Sequence, residues 1–473
     1  MIKKLIRTID TIFNNKIFRI LSIIILPTIL WMSFFQNSNI WYDEFYTIEI
    51  IDNNIKDLVT ITSNDVHPPL YYLLLKVYTF IFGTDLNTLK SFSIIPLIFI
   101  LIINEIEVRK LFGKKVSNAF FIIFLSSSIV MQYAIEIRMY SWSMFFLYGM
   151  TIYAIKYCQK KDMSSIVLMT IFSILGIYTH YYVLLSAIIL YLLIILCNTK
   201  NFYKLIISGL VNFVCYLPWI NVLFNQIIQV KQEFWISEIT KANILQYPYY
   251  LFRLGRFTNI YLIFIILIII ITLLFIFKKD FKYKKEILIC FITFFATCTI
   301  AIIISILVKP IFYARYASIS IVSCMILFVS IAIGNINSKK IRIIFLILFI
   351  IFGIISYTYR MNLEFDFSKG YIDTVNTYIS NDDAILFTSD TEQSVIISYY
   401  FEDYNYYAIK TCNNSPFKNI QNFNDDIFNK YEKIFIIIFN NNYFQNDKYL
   451  FEYVDTLNLG EWCTFDIYEI YEK

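Results

Sequence analysis

Histidine is nearly absent from this chain, with only two in 473 residues, glycine and proline are also sparse, with 10 and 8 residues, and charged residues make up only 16 %. These shortages exclude much. Eight cysteines show no CxxC or Cys/His spacing of the kind that holds zinc or an iron–sulfur cluster, and they read as small apolar residues. Cys412 and Cys463, near the C-terminal end, could pair, though nothing requires it. No glycine-rich loop of a nucleotide-binding fold is present. No convincing internal repeat is found, and no small-residue cleavage site follows the first apolar run, so that run is expected to stay as a span. The formal net charge of +5 says little by itself, and no nucleic-acid partner is expected.

What is abundant is apolar surface. Hydrophobic residues make up 58 %, and a mean hydropathy of +0.62 does not fit a soluble globule. Runs such as 17–35, 260–277, 287–308 and 341–357 approach or reach the ~20 apolar residues needed to cross ~30 Å of hydrocarbon. Lys3, Lys4, Arg7, Lys16 and Arg19 precede the first run and predict a cytoplasmic N terminus. Segment 68–82 is short, opens on Pro68-Pro69 and carries Lys76. If it does not span, every dense Lys/Arg cluster falls on the cytoplasmic side. The pattern then predicts about eleven spans, at 17–35, 90–106, 118–134, 141–157, 164–179, 183–197, 203–221, 258–277, 287–308, 316–334 and 341–357. The fold expected is mainly α: a polytopic transmembrane bundle over 1–360 and a small extracytoplasmic α/β domain over 361–473. The abundance of Ile, Asn, Lys, Phe and Tyr matches an AT-rich bacterial genome, and the expected location is a bacterial plasma membrane.

The first outer loop, 36–87, contains two amphipathic pieces near 43–51 and 55–62, suited to helices on a membrane surface, with Asp52-Asn53-Asn54 between them. Beyond 361, short apolar strands at 384–387, 406–409, 434–439 and 464–471 alternate with helical stretches near 370–379, 391–400 and 424–432.

On this topology the isolated charges gather at outer membrane ends: Asp43, Glu44, His67, Glu136, Arg138, His180, Arg253, Arg256, Lys309 and Arg315. Ionisable groups near hydrocarbon persist where they are paired or used. Asp43 and Glu44 are neighbours, about 100° apart on a helix, so one can act as a base while the other orients it, binds a metal or faces water. The order of motifs is Asp43-Glu44 after the first span, His67-Pro68-Pro69-Leu70-Tyr71-Tyr72, Phe82-Gly83, Glu136-Ile137-Arg138-Met139-Tyr140-Ser141-Trp142, Tyr178-Thr179-His180-Tyr181-Tyr182, and Lys309-Pro310-Ile311-Phe312-Tyr313-Ala314-Arg315-Tyr316.

That series resembles the GT-C superfamily of integral-membrane glycosyltransferases, in the group that holds the protein O-mannosyltransferases and the aminoarabinose transferases. The resemblance covers about residues 1–357. It implies an inverting transfer of one sugar from a polyprenyl-phosphate donor to a hydroxyl of an envelope acceptor at the outer face of the membrane. Asp43 becomes the general base, with Glu44 beside it, and His67, Arg138 and Arg315 meet the donor phosphate. Glu136, Tyr140, His180 and Tyr316 line the substrate cavity. His67 stands directly before the Pro-Pro, as in the protein O-mannosyltransferases, where the lipid A branch has lysine. No cofactor is demanded, although Asp43, Glu44, His67 and Glu136 could assemble around a divalent metal ion. The competing reading is a transporter or flippase of lipid-linked sugars, which would place polar groups near the bilayer midplane. Here they cluster at helix ends instead.

Overall fold

Backbone amides in hydrocarbon must pair within their own segment, so apolar runs become helices, and each of the eleven expected spans is helical in the computed structural model, ten on one continuous helix and that over 118–134 on two. The structure describes residues 16–35, 40–197, 202–232, 239–390, 393–400, 403–411, 415–439, 448–458 and 464–473. Cys412 and Cys463 lie outside these residues. The helices in chain order are α1 (Lys16–Met32), α2 (Tyr42–Asp52), α3 (Ile55–Asn64), α4 (Leu70–Phe82), α5 (Leu86–Phe112), α6 (Lys114–Leu125), α7 (Ser128–Tyr133), α8 (Tyr140–Lys160), α9 (Met163–Ile177), α10 (Tyr181–Cys197), α11 (Phe202–Gln232), α12 (Lys241–Leu251), α13 (Thr258–Phe277), α14 (Lys284–Leu307), α15 (Ala314–Gly334) and α16 (Lys339–Tyr378). Among the described residues, six helices are long and apolar enough to cross a membrane, and α1, α4, α9 and α10 are shorter apolar helices. At 13 residues, α4 reaches about 20 Å, less than the ~30 Å of a hydrocarbon core.

The chain divides into two units. One contains Met1–Phe35 and Thr62–Arg360, the other Gln36–Ile61 and Met361–Lys473. The start of the first loop therefore belongs with the C-terminal residues, whereas the sequence reading grouped the whole of 36–87 with the helical bundle.

In the helical unit, α8 packs on α5, α9, α10 and α15. Small residues set two close approaches. A Cβ on Gly353 would fall 2.8 Å from the Ser126 side chain, and one on Gly176 would fall 2.6 Å from Val183 Cγ1, at the tight turn from α9 to α10. Charged groups at helix ends are paired: Arg19 Nε lies 2.8 Å and Arg109 Nη1 3.4 Å from Glu105, and Lys156 Nζ lies 3.0 Å from Glu107.

Three expectations change in detail. The span over 118–134 breaks at Ser126-Ser127, where the α6 amides end and α7 begins. The stretch between the expected spans 203–221 and 258–277 is not simply a connection: α11 continues to Gln232, where Leu223, Gln226 and Ile227 keep helical spacing, and α12 forms over Lys241–Leu251. The last span also continues past 357, with α16 running unbroken to Tyr378.

In the second unit, β1 (Ala384–Ser389), β2 (Asn405–Lys410), β3 (Ile420–Asn422), β4 (Ile434–Phe439), β5 (Tyr449–Asn458) and β6 (Thr464–Glu472) form one sheet in the order β3-β2-β1-β4-β6-β5. Strands β3, β2, β1 and β4 run parallel, and β6 pairs antiparallel with both β4 and β5. Central β1 is apolar without alternation and buried over 384–387, as expected of a parallel strand covered on both faces. Ala384, Leu386, Ile434, Ile436 and Ile470 anchor its core.

Candidate active site

Two turns of the helical unit bring the histidines together. Rigid Pro68 and Pro69 start α4, and the Leu70 amide donates to the Tyr178 carbonyl at 3.1 Å, tying this turn to the one between α9 and α10. On that second turn the Thr179 and His180 amides both donate to the Gly176 carbonyl, at 3.0 and 3.1 Å. The imidazoles of His67 and His180 end 5.2 Å apart, centroid to centroid.

Tyr316 packs edge-on to both, at 6.1 Å from His67 and 5.0 Å from His180. Tyr140 lies 5.9 Å from His180 and 6.4 Å from Tyr316. The loop leading into α15 is fixed by Ser305 Oγ, which accepts from the Ile311 and Phe312 amides at 2.9 and 2.7 Å. The Tyr182 hydroxyl donates to the Ile311 carbonyl at 3.0 Å. Through this loop Lys309, Arg315 and Tyr316 are held beside the histidines.

Arg138 sits on a turn braced against α5, where Ser93 Oγ donates to the Glu136 carbonyl at 2.5 Å and Trp142 Nε1 to the Phe92 carbonyl at 3.2 Å. Its Nη1 donates to the Tyr72 hydroxyl at 3.4 Å. Arg315 lies over the Tyr313 ring, 4.8 Å from its centroid. Both guanidinium residues are buried, at 4 % and 7 % exposure.

Burial first, and the two guanidinium groups after it, hold the His180 imidazole down to about 3. His67 is likewise lowered well below the ordinary histidine range by burial, then by His180, Arg138 and Arg315. Both rings are therefore neutral at pH 7. His180 Nδ1 accepts from the Tyr182 amide at 3.1 Å, so its proton is on Nε2. That Nε2 and His67 Nδ1 are buried with no hydrogen-bond partner among the described residues. The His180 turn thus presents a buried N–H within the field of the Arg138 and Arg315 guanidinium groups.

The histidines line a cavity of about 340 Å³. Lys309, Tyr316, Tyr181, Tyr182 and Gln226 share its polar lining, and the rest of the wall is mostly aliphatic, with Leu184, Leu185 and Ile188 of α10, Leu223 and Ile227 of α11, and Ile304 and Val308. A lining that joins neutral imidazoles and a lysine to aliphatic side chains suits a ligand with an anionic head and a long apolar tail.

Of the expected site residues, His67, Tyr140, His180 and Tyr316 are brought into one ring cluster, with Arg138 and Arg315 as its cations. Glu136 is buried on the Arg138 turn. Asp43 and Glu44 lie in the other unit, in the first turn of α2. Glu44 is 2 % exposed and its Oε2 accepts from the Trp41 amide at 3.1 Å, capping the helix. The Asp43 side chain is partly exposed. Among the described residues no three His, Cys, Asp or Glu side chains form a metal-holding group.

Sequence reasoning did not place Lys309 or Gln226 in the cavity wall. Lys309 was legible as an isolated charge before Pro310, and Gln226 as a lone amide on the apolar stripe of α11. The buried Lys90, at 1 % exposure near the start of α5, was hidden in what read as the beginning of a span.

The architecture is that of a multi-pass membrane protein of GT-C fold with a small α/β domain. Two crystal structures of ArnT from Cupriavidus metallidurans share it. The apo form superposes with a TM-score of 0.61 and the form bound to undecaprenyl phosphate with 0.58, each at 9 % identity over 94 % of this chain and 97 % of that one. At this identity the likeness is one of fold. No protein-family profile and no curated protein sequence matches the chain.

Proposed function

We propose that this protein is an inverting glycosyltransferase that moves one sugar from a polyprenyl-phosphate donor to a hydroxyl of an envelope acceptor, working at the outer face of a bacterial plasma membrane. The observation that carries the proposal is the cavity: a mostly aliphatic wall that also includes His67, His180, Lys309 and Tyr316, with both histidines within the field of Arg138 and Arg315. The ArnT structure with undecaprenyl phosphate supports a ligand of this class for the shared fold.

In the proposed reaction the acceptor oxygen attacks the anomeric carbon from the face opposite the phosphate. The bond from that carbon to the phosphate oxygen breaks, and its electron pair leaves with the polyprenyl phosphate, which becomes a dianion. Arg138 and Arg315 stabilise that developing charge, and the neutral His180 Nε2–H adds a hydrogen bond without competing for the acceptor proton. The proton goes to the Asp43 carboxylate, assigned as base on the family resemblance.

The test is release of free polyprenyl phosphate by the purified protein in lipid. The donors are undecaprenyl-phosphate glucose, mannose and 4-aminoarabinose, labelled in the sugar, and native envelope extract supplies the acceptor. Wild type should release the lipid and move label into the extract, and Asp43→Asn should lower the rate by about 100-fold or more. A full rate in Asp43→Asn would remove the base assignment. No consumption of any donor would favour transport of lipid-linked sugars.

A further inference from the structure

Helix α2 carries Asp43, and the structure shows what holds that helix within its own unit. Tyr42, Phe45, Tyr46 and Glu49 follow i, i+3, i+4, i+7 spacing and so form one stripe. Phe417 of the C-terminal segment meets this stripe three times, with ring centroids 6.2 Å from Tyr42, 5.1 Å from Phe45 and 6.0 Å from Tyr46. Tyr399 adds a fourth ring contact, 5.6 Å from Phe45. Phe45 and Phe417 are 1 % and 4 % exposed, so the contact is a core contact. The next residue, Lys418, pairs with Asp52 at the far end of the helix, Nζ to Oδ2 2.7 Å. Aromatic packing fixes the rotation of α2 about its axis, and the ion pair marks its end.

From these contacts we infer that the C-terminal α/β domain positions the helix that bears Asp43, and that Phe417 is the residue that sets its rotation. The inference rests on the base role proposed above. Asp43 lies about 100° around the helix from Tyr42 and about 60° from Tyr46, on the flank it shares with Thr47, whose Oγ1 donates to the Asp43 carbonyl at 2.8 Å. A stripe clamped on one side presents the neighbouring flank in one direction only. Removing the clamp lets α2 roll, and a carboxylate misplaced by about 1 Å costs about 100-fold in rate. The domain then acts on the reaction through the position of α2, and Phe417 is a positioning residue.

The experiment compares wild type, Phe417→Ala, Phe417→Tyr and Asp43→Asn as full-length proteins in lipid, with the same donor panel and envelope extract. Hydrogen exchange of the α2 and β1 amides is followed in parallel. The expected result for Phe417→Ala is a kcat lower by about 100-fold with an unchanged donor KM, because the phosphate-binding groups belong to the other unit, and faster exchange confined to α2. Phe417→Tyr, which keeps the ring, should restore both. A loss of protection in β1 as well would mark a folding defect in the alanine variant. Phe417→Leu, which keeps most of the volume, then decides: slower turnover with protected β1 amides upholds the inference, and wild-type turnover overturns it. A wild-type kcat in Phe417→Ala alongside an inactive Asp43→Asn overturns the positioning role alone. Full activity in Asp43→Asn, or no turnover of any donor, removes the reading on which it rests.

Discussion

Lowering the pH should destabilise this protein through its two histidines, and the size of the effect follows from where they sit. His180 is buried within the field of Arg138 and Arg315, and its imidazole is held down to about 3 from an ordinary 6.5, by burial first and those charges after it. A histidine with a depressed value contributes stability that is complete above the unfolded value and is lost as pH falls toward the folded one. Below 6.5 the unfolded chain takes up a proton that the folded chain refuses, and each pH unit costs about 1.4 kcal/mol. Between pH 6.5 and about 4.5 His180 alone therefore costs about 3 kcal/mol, and His67, lowered by the same burial and charges, acts in the same direction. Thermal unfolding in detergent across this range reads the effect, as a fall of roughly 3–6 °C if the shift per kcal/mol follows domain size. His180→Gln, which keeps an acceptor for the Tyr182 amide, should flatten the slope. Adding undecaprenyl phosphate should flatten it as well, because an anion in the cavity offsets the guanidinium field and lets the imidazoles take up protons. Identical slopes for wild type and His180→Gln would refute the placement of a neutral, buried His180 beside two cations.

Replacing Arg315 with alanine should raise the donor KM or lower kcat by a combined 10- to 100-fold in kcat/KM, as for loss of a charge-assisted hydrogen bond, and Arg315→Lys should recover only part of it; steady-state kinetics with the donor panel measure this. Glu49 behaves oppositely to the histidines. Burial, then the charge of Asp52, raises its carboxyl to about 7, against a smaller lowering by Lys418. Its contribution to stability is therefore complete below about 4.5 and fades as pH rises through 7, so Glu49→Gln should remove that loss from unfolding curves measured between about pH 5 and 8.

The membrane architecture was legible because hydrocarbon leaves a chain few choices: each apolar run of sufficient length became a helix. Amphipathic spacing similarly marked α2 and α3, and Asn54 caps α3 by accepting from the Asp57 amide at 3.0 Å. In the C-terminal domain, β1, β2, β4 and β6 showed as apolar strands, but β3 and β5 did not. β3 has only three residues, and β5 is an edge strand paired with β6 alone, with Glu452 and Asp455 breaking its apolar pattern. The histidine cluster was legible as a list of motifs without its geometry. Nothing local in Pro68-Pro69 announces the Leu70-to-Tyr178 hydrogen bond that brings His67 to His180. The adjacency of Asp43 and Glu44 concealed a division of labour, in which Glu44 turns back to cap its own helix while Asp43 stays partly exposed. The tie between α2 and Phe417 was invisible, since it joins the first loop to a segment near the end of the chain.

The central claim is that the cavity behind His67 and His180 takes a polyprenyl phosphate, and its most direct measurement is photocrosslinking with an undecaprenyl phosphate that carries a diazirine in its third or fourth isoprene unit. The account predicts adducts on the α10 and α11 peptides that contain Leu184, Ile188, Leu223 or Ile227, competed by unlabelled undecaprenyl phosphate and reduced in Arg315→Ala. Adducts confined to the outward faces of other helices, unaffected by competitor, would contradict it.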